Sequence, residues 1–548
     1  MKTLLKRTLK DITGRPRRTL LVAAVAAVSL TATTTVTTAA WVDNEWAGGS
    51  VGVSSPGDCS TNTLFSGVAS ARQLSGTVLG TNLNSIAGIE GLTVTNSNGT
   101  ASPLPVTATK VTDVPDAFIN KLPVTALGLN PVTVGLGLGL PVGGLGTYTQ
   151  WAQAQDSGQT LAAAGLVTDQ SGAVDVGGTA TGAATAPQAA VISLDKILPA
   201  SLGGVTLDVG AVASSASVQG CEMVNGWPIL ADAPGVTRDY GIASLELGAN
   251  VPTAGTIVTA TNAALTGVPT LLDLQSNLIG ALNTGVQEAL ESLGLVRTTT
   301  TAAVVGLDFS SVRALLDQPQ THGAVTLNLR TGRLTVDLAK LPGASPLGSG
   351  LAPNTPVLLT QFDVTQVQED VRFLLTQITT RLRAAVDAVT VSATVTASVI
   401  ALGSTKIEIA GTVGQYRAGT VQPAVTAAGL NLGQLLSSLV GAVLGAVTTS
   451  VVAPLSSAVS SLDATLAPTI AMARADAGAI LTAVGTLVSI HVNVQPDQLW
   501  TGVKPDDVSA NPGEYKVSAI RVGLINQPGL LSLSLGTSAA GPVNYRPS

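Results

Sequence analysis

The stretch VTLNLRTGRLTVDL, residues 325–338, decides the fold. Val325, Leu327 and Leu329 alternate with polar residues, and so do Leu334, Val336 and Leu338, a period of two that marks half-buried strands. Thr331-Gly332 between them forms a two-residue turn, with glycine free to take the positive φ such turns need. That loop length sets 329 opposite 334, 327 opposite 336 and 325 opposite 338, which places all six apolar residues on one face. The unit is an antiparallel hairpin with one face in a core.

Working outward, the period changes on both sides. Asp363 and Gln366 hold capping-box positions, with Asp in place of the usual Ser or Thr. Val364, Val367, Val371, Leu374, Leu375, Ile378, Leu382, Val386 and Val389 then step by threes and fours, which predicts an amphipathic helix over 364–390. Leu271, Leu274, Leu278, Leu282, Val286, Leu290 and Leu293 predict another over 270–296. Val391, Ala393, Val395, Ile407 and Ile409 return the chain to strands. Residues 430–487, rich in Ala, Val, Leu and Ser, read as two or three helices broken near Pro454 and Pro468. Gly441 and Gly445 lie at GxxxG spacing, but the run Leu439 to Val452 is too short and too rich in Ser and Thr to span a membrane, so a packed soluble helix is expected. From Val488 onward Ile490, Val492 and Val494, then Tyr515 to Leu524, then Leu531, Leu533 and Leu535 are strands.

Residues 41–260 are glycine-punctuated and β-rich; Pro131 to Pro141 alternates Val132, Val134, Leu136, Leu138 and Leu140 with Thr and Gly, which reads as a strand with a glycine face, a flexible linker being the alternative. The expected class is therefore α+β: mainly antiparallel, sandwich-like sheets with helices over 270–296, 364–390 and 430–487. The chain divides into 1–40, a β-rich 41–260, a mixed 261–425 and a helix-then-strand 426–548, although 41–548 also reads as one interwoven unit. The closing strands need partners, and strands from the beginning of the chain are the expected ones.

The first forty residues have the layout of a secretion signal. Lys2, Lys6, Arg7, Lys10, Arg15, Arg17 and Arg18 form a basic region, Thr19 to Leu30 an apolar one of about twelve residues, and Thr38-Ala39-Ala40 a small-residue exit before Trp41. A spanning helix needs roughly twenty residues, so cleavage between Ala40 and Trp41 is expected rather than anchoring. Removing the segment takes seven of 27 basic and one of 33 acidic residues, which leaves 20 against 32, a net charge of −12. An acidic chain of this kind has no electrostatic footprint for nucleic acid or anionic lipid. Two cysteines, Cys59 and Cys221, are expected to form one disulfide in an oxidising compartment, with free buried thiols as the alternative.

Tests for chemistry fail one by one. Gly48-Gly49-Ser50-Val51-Gly52 fits GxSxG, but a nucleophile elbow needs a strand before and a helix after it. His322, in a turn before the hairpin, and His491, on the polar face of a strand, read as solvated. Asp113 with Asp116 looks like loop solvation, and Glu369 with Asp370 like the polar face of a helix. A glycosidase needs only two facing carboxylates, yet five Trp, five Tyr and five Phe leave little aromatic lining for a sugar cleft. No zinc, EF-hand, P-loop or dinucleotide pattern is present, so no metal and no cofactor is expected. Leu122-Pro123-Val124-Thr125-Ala126 misses the LPxTG anchor in its last residue, its internal position and the lack of a following apolar tail, and no C-terminal anchor is found before Ser548.

GAVTLNLRTGRLTVDL (323–338), LAPNTPVLLT (351–360), VSIHVNVQP (488–496), GEYKVSAIRVGLI (513–525) and LLSLSLGTSAAGPV (530–543), with AAWVDNEW (39–46) at the cleavage region, together resemble the choice-of-anchor G family of actinobacterial surface proteins. The resemblance implies an exported β-rich surface protein with no catalytic residues to carry over. Two functions are expected from these readings. The first is a structural or adhesive protein of the cell surface, without catalytic activity, contacting cell-wall or surface components and assembling with itself into an array or fibre. The alternative is a secreted glycan-binding or carbohydrate-active protein using a carboxylate pair.

Overall fold

The computed structural model describes residues 58–546 apart from short stretches, of which 123–137, 140–147, 177–189 and 196–203 are the longest. The cleavage region at Ala40 and Trp41, the GxSxG match and most of the Pro131–Pro141 strand lie outside the described residues. Among the described residues there are four sheets, every pair of strands in them antiparallel, together with seven α-helices. The fold is α+β and β-rich.

The first sheet has eight strands and joins the two ends of the chain. Its order is Thr355–Pro356, Val488–Val494, Tyr515–Leu524, Leu531–Tyr545, Phe65–Val78, Leu92–Ser97 and Thr100–Leu104, with Thr81–Asn82 paired beside Phe65–Val78. Phe65 faces Tyr545 and Val78 faces Leu531, so the first long strand lies along the last. The second sheet has six strands, Trp227–Ile242, Val212–Val224, Gln159–Gly165, Tyr148–Ala154, Ala117–Leu122 and Thr109–Lys110. It stacks on the first across a layer of small side chains: Ala69, Ala71, Ala152, Ala154, Ala162 and Ala164 with Leu92 and Val94. Because these side chains are short, polar groups bridge the two sheets directly. Asn96 Nδ2 donates to the Ala154 carbonyl at 2.9 Å, the Ser214 and Ser538 hydroxyls meet at 2.8 Å, and the Gly541 N–H donates to Thr160 Oγ1 at 3.1 Å.

The third sheet contains the hairpin that opened the sequence: Gln320–His322, Val325–Asn328, Arg333–Asp337, Leu245–Asn250, Thr206–Val209, Ala190–Ser193 and Leu138–Gly139. The hairpin's register differs from the expected one. Leu327 faces Leu334 and Val325 faces Val336, and the loop is Leu329 to Gly332. Two local features favour the longer loop: Leu329 is buried, and Asn328 Oδ1 accepts the Thr331 N–H at 3.2 Å. A slip of two residues keeps every side chain on its face, so the apolar set remains buried as expected.

The helices are α1 (Ala254–Gly267), α2 (Leu271–Leu290), α3 (Ser310–Asp317), α4 (Val364–Asp387), α5 (Val413–Arg417), α6 (Gly433–Val447) and α7 (Ala453–Leu487). α2 starts with a full capping box, Thr270 and Asp273 each satisfying the other's backbone. It ends at Leu290; Leu293, counted as helical from sequence, lies outside the described residues, and Val296 begins a strand of the fourth sheet. That sheet is Val296–Val305, Thr390–Val399, Gly403–Thr412 and Ala424–Ala428. Of the expected breaks in 430–487, the one near Pro454 is a π segment between two α-helices and the one near Pro468 does not occur. Thr448–Val452 continues α6 into α7 as a π segment, in which the Ala453 N–H reaches the carbonyl of Thr448. That wider turn comes just before Pro454 at the start of α7, where a missing N–H costs little, and Pro468 is carried inside the helix. Leu466, Ile470, Ala473, Ala477, Leu481 and Val484 of α7 are buried, and α4 lies along it. Gly478 leaves room for Gln368 of α4, whose amide would be 2.3 Å from an added Cβ. The run expected to be too short to span is thus part of a helix, Leu436–Leu487, long and apolar enough to cross a membrane by length and composition; a third of its most apolar window is buried in the fold.

Candidate functional site

The described surface carries one concentrated apolar projection. Val212–Val224 and Trp227–Ile242 form a long hairpin whose turn is Asn225-Gly226, with φ of 53° and 81°. Two successive left-handed residues define the tight turn that suits the twist of a hairpin, and Asn-Gly is its preferred pair. The root of the hairpin is buried in the second sheet. Its tip is not: Met223, Val224, Trp227, Ile229 and Leu230 are all exposed, Trp227 to 73%.

Covalent and polar contacts hold this projection from two sides. Cys221 is bonded to Cys59, with Cα atoms 5.8 Å apart, as expected from the cysteine count. Next to it, the Gly220 N–H donates to the Gly158 carbonyl at 2.8 Å, and an added Cβ at Gly220 would meet Val543 at 2.6 Å. Nearer the root, Arg238 reaches the other sheet, donating to Gln495 Oε1 at 2.6 Å and Asp497 Oδ2 at 2.7 Å while lying 5.4 Å from the Tyr515 ring centre. Burial alone would raise the Asp497 carboxyl, but the hydrogen bond and charge of Arg238 hold it below its ordinary range. Tyr240 accepts the Leu351 N–H at 3.1 Å.

Those partners belong to a network that joins two of the stretches carrying the family resemblance. Asn354, fully buried with φ of 60°, donates from Nδ2 to the carbonyls of Gln495 (2.9 Å), Gln498 (3.3 Å) and Leu499 (3.0 Å). Its Oδ1 accepts the Gln495 N–H at 2.7 Å, and Asn493 Nδ2 donates to the Leu351 carbonyl at 2.8 Å. Every polar atom of the Asn354 side chain is occupied, so the network acts as a fastening. The hairpin is therefore a stiff arm with an apolar end. Sequence reading missed it because exposed Trp227 has no local periodicity; the signal available was Asn-Gly between Met223-Val224 and Trp227.

A separate polar cleft of about 490 Å³ lies on the first sheet, lined by Ser70, Arg72, Asp507, Glu514, Lys516 and Ser532 among others. Arg521 beside it is only 1% exposed and forks onto Asp507, Nε to Oδ2 at 2.8 Å and Nη2 to Oδ1 at 2.5 Å, while Ser532 also donates to Asp507. Burial alone would raise the Asp507 carboxyl; the bonds from Arg521 and Ser532 hold it below its ordinary range, so it stays ionised. No aromatic side chain lines this cleft. Trp151 is buried in the core, Trp500 lies 5.0 Å from His491, and Trp41 and Trp46 lie outside the described residues.

The histidines and acids need two corrections. His491 is buried, not solvated: Trp500 and Arg521 cover the strand face that alternation marks as polar. Burial, then the charge of Arg521, push its imidazole down to about 4. Asp370 is likewise buried, accepting from Gln366 at 2.9 Å with Gly323 packed against it, whereas Glu369 pairs on the surface with Arg372 and Arg474. His322 is half exposed, stacked on Phe373 at 3.9 Å and 3.8 Å from Asp370. Asp113 and Asp116 sit in a loop with φ of 62° and 57°. Among the described residues no three His, Cys, Asp or Glu side chains gather as a metal site.

The fold and this surface define a disulfide-containing antiparallel α+β protein with an exposed apolar hairpin tip. The family described as Domain of unknown function (DUF8394) matches residues 69–541, and the chain belongs to it. No curated protein and no solved structure matches the chain.

Proposed function

We propose that the chain is an exported structural or adhesive protein of the cell surface, cleaved between Ala40 and Trp41, which works through contacts with wall or surface components and with its own copies. The observation that carries this reading is the apolar tip Met223 to Leu230, held out on a hairpin that is fixed by the Cys59–Cys221 bond. Large rigid aromatic and aliphatic side chains on a fixed element are what protein contacts use, because little freedom is lost on binding. The disulfide fits an oxidising compartment, and the choice-of-anchor G resemblance supports the cell surface as the place.

The test is fractionation of the native host producing either the wild-type chain or Trp227→Ser. The wild type is expected in the wall and surface fractions, and the variant in the medium with unchanged thermal stability. Equal retention of the two would remove the hairpin from the reading, and a wild-type protein confined to the cytoplasm would end it.

A further inference from the structure

A free strand edge offers its N–H and C=O groups to any other strand, and soluble proteins block such edges with short strands, proline, lysine or irregularities. Among the described residues the four sheets have eight edges. Four are strands of only two or three residues: Thr355–Pro356, Thr109–Lys110, Gln320–His322 and Leu138–Gly139. Thr100–Leu104 contains Pro103, Ala424–Ala428 is short and follows Pro423, and Trp227–Ile242 contains Pro228 and Pro234 and loses register between Leu230 and Gly235.

Val296–Val305 is the exception. It has ten residues, VRTTTTAAVV, with no proline, lysine or bulge, and it pairs in unbroken register with Thr390–Val399 on its other side. One face is backed by α2, where Thr300 Oγ1 bonds Asn283. The other carries Arg297, Thr299 and Thr301, all exposed, beside Thr394 and Thr396 of the neighbouring strand.

We propose that Val296–Val305 is an assembly edge, at which a second copy of this chain adds the same strand antiparallel and joins two four-stranded sheets into one of eight. The inference rests on the reading of the protein as one that contacts its own copies. The strand is complementary to itself. Turned about its centre at Thr300, Thr299 faces Thr301 of the other copy and Arg297 faces Ala303, so its single charge meets no like charge and cross-strand threonine pairs form. Nine residues of each strand, 296–304, pair in this way and form about eight to ten main-chain hydrogen bonds, within the range of a typical specific interface.

The two cysteines are bonded to each other, so any introduced cysteine is the only free thiol. An equimolar mixture of exported chains carrying Thr299→Cys and Thr301→Cys, residues that face each other in this register, is expected to give disulfide-linked mixed dimers under mild oxidation, and Thr426→Cys on the opposite edge of the same sheet is not. The double variant Thr299→Lys with Thr301→Lys changes only exposed side chains and is expected to weaken dimerisation at least tenfold by sedimentation. Cross-linking at Thr426 instead, or an assembly indifferent to the lysines, overturns this edge while leaving self-contact in place. A wild-type chain that stays monomeric at high concentration, with the mixed cysteine chains uncross-linked, overturns the edge as well, and retention of the protein at the surface, measured as above, then decides the wider reading separately.

Discussion

Substituting Asn354 separates a fastening from an ordinary buried polar residue. Its side chain serves three carbonyls and one N–H. Gln498 and Leu499 are exposed, so their carbonyls turn to water when the amide is lost; the buried Gln495 carbonyl keeps the Gln498 N–H at 3.1 Å, and the Gln495 N–H alone is left dry. One buried group without a partner sets the loss for Asn354→Gly at about 1–3 kcal/mol. Asn354→Ala carries in addition about 1–2 kcal/mol for a Cβ in the left-handed region, partly offset by the greater unfolded-state freedom of glycine, so it falls below the Gly variant by about 1 kcal/mol or less. Urea denaturation gives the totals, and amide exchange at Gln495 reports the local opening directly. A Gly variant within 1 kcal/mol of the wild type, or a Gln495 amide already unprotected in the wild type, would falsify the assignment of this residue as the hub.

Two further outcomes follow from the same structure. Opening the Cys59–Cys221 bond by double substitution to serine frees a span of 162 residues, and the chain-entropy model assigns such a loop up to about 5 kcal/mol; calorimetry with an unchanged melting temperature would contradict it. The buried His491 ring stays neutral down to about pH 4, while the unfolded ring takes a proton at its ordinary 6.5. Protons therefore favour the unfolded chain in that window: the contribution is complete above pH 6.5 and falls by up to about 3 kcal/mol as pH drops to 4. Denaturation midpoints measured across that range should flatten in His491→Gln, and identical slopes would count against burial of the ring.

The parts of the fold that were legible in the sequence are those set by local periodicity. Leu274, Leu278, Leu282 and Val286 step along one side of α2 and are all fully buried, and Ile490, Val492 and Val494 share a buried face as alternation requires. What alternation does not encode is whether a second layer covers the other face. His491 reads as polar and solvated, yet Trp500 lies over it. Nor does a local pattern state how long a turn is when its first residue is itself apolar, which is why burial of Leu329 moved the hairpin register by two. Pro468 failed as a helix breaker because packing of α7 along α4 outweighs one lost hydrogen bond.

Composition and edges are linked. With 11% charged residues the chain has few lysines to place on strand edges, and with 3% aromatics it builds its sandwich from alanine, whose short side chains let two sheets exchange hydrogen bonds. A protein this poor in charge must keep its sheets apart by backbone means, and seven of the eight described edges use them: brevity, proline or lost register. Against that background a regular ten-residue edge of threonine, alanine and valine is a departure from the rule the rest of the molecule follows. The disulfide-fixed hairpin departs from a second rule, presenting exposed tryptophan where the other described tryptophans are covered or partly covered. Both departures are held from behind, one by Cys59 and Arg238, the other by α2, and a surface held in this way loses little freedom in any contact made there.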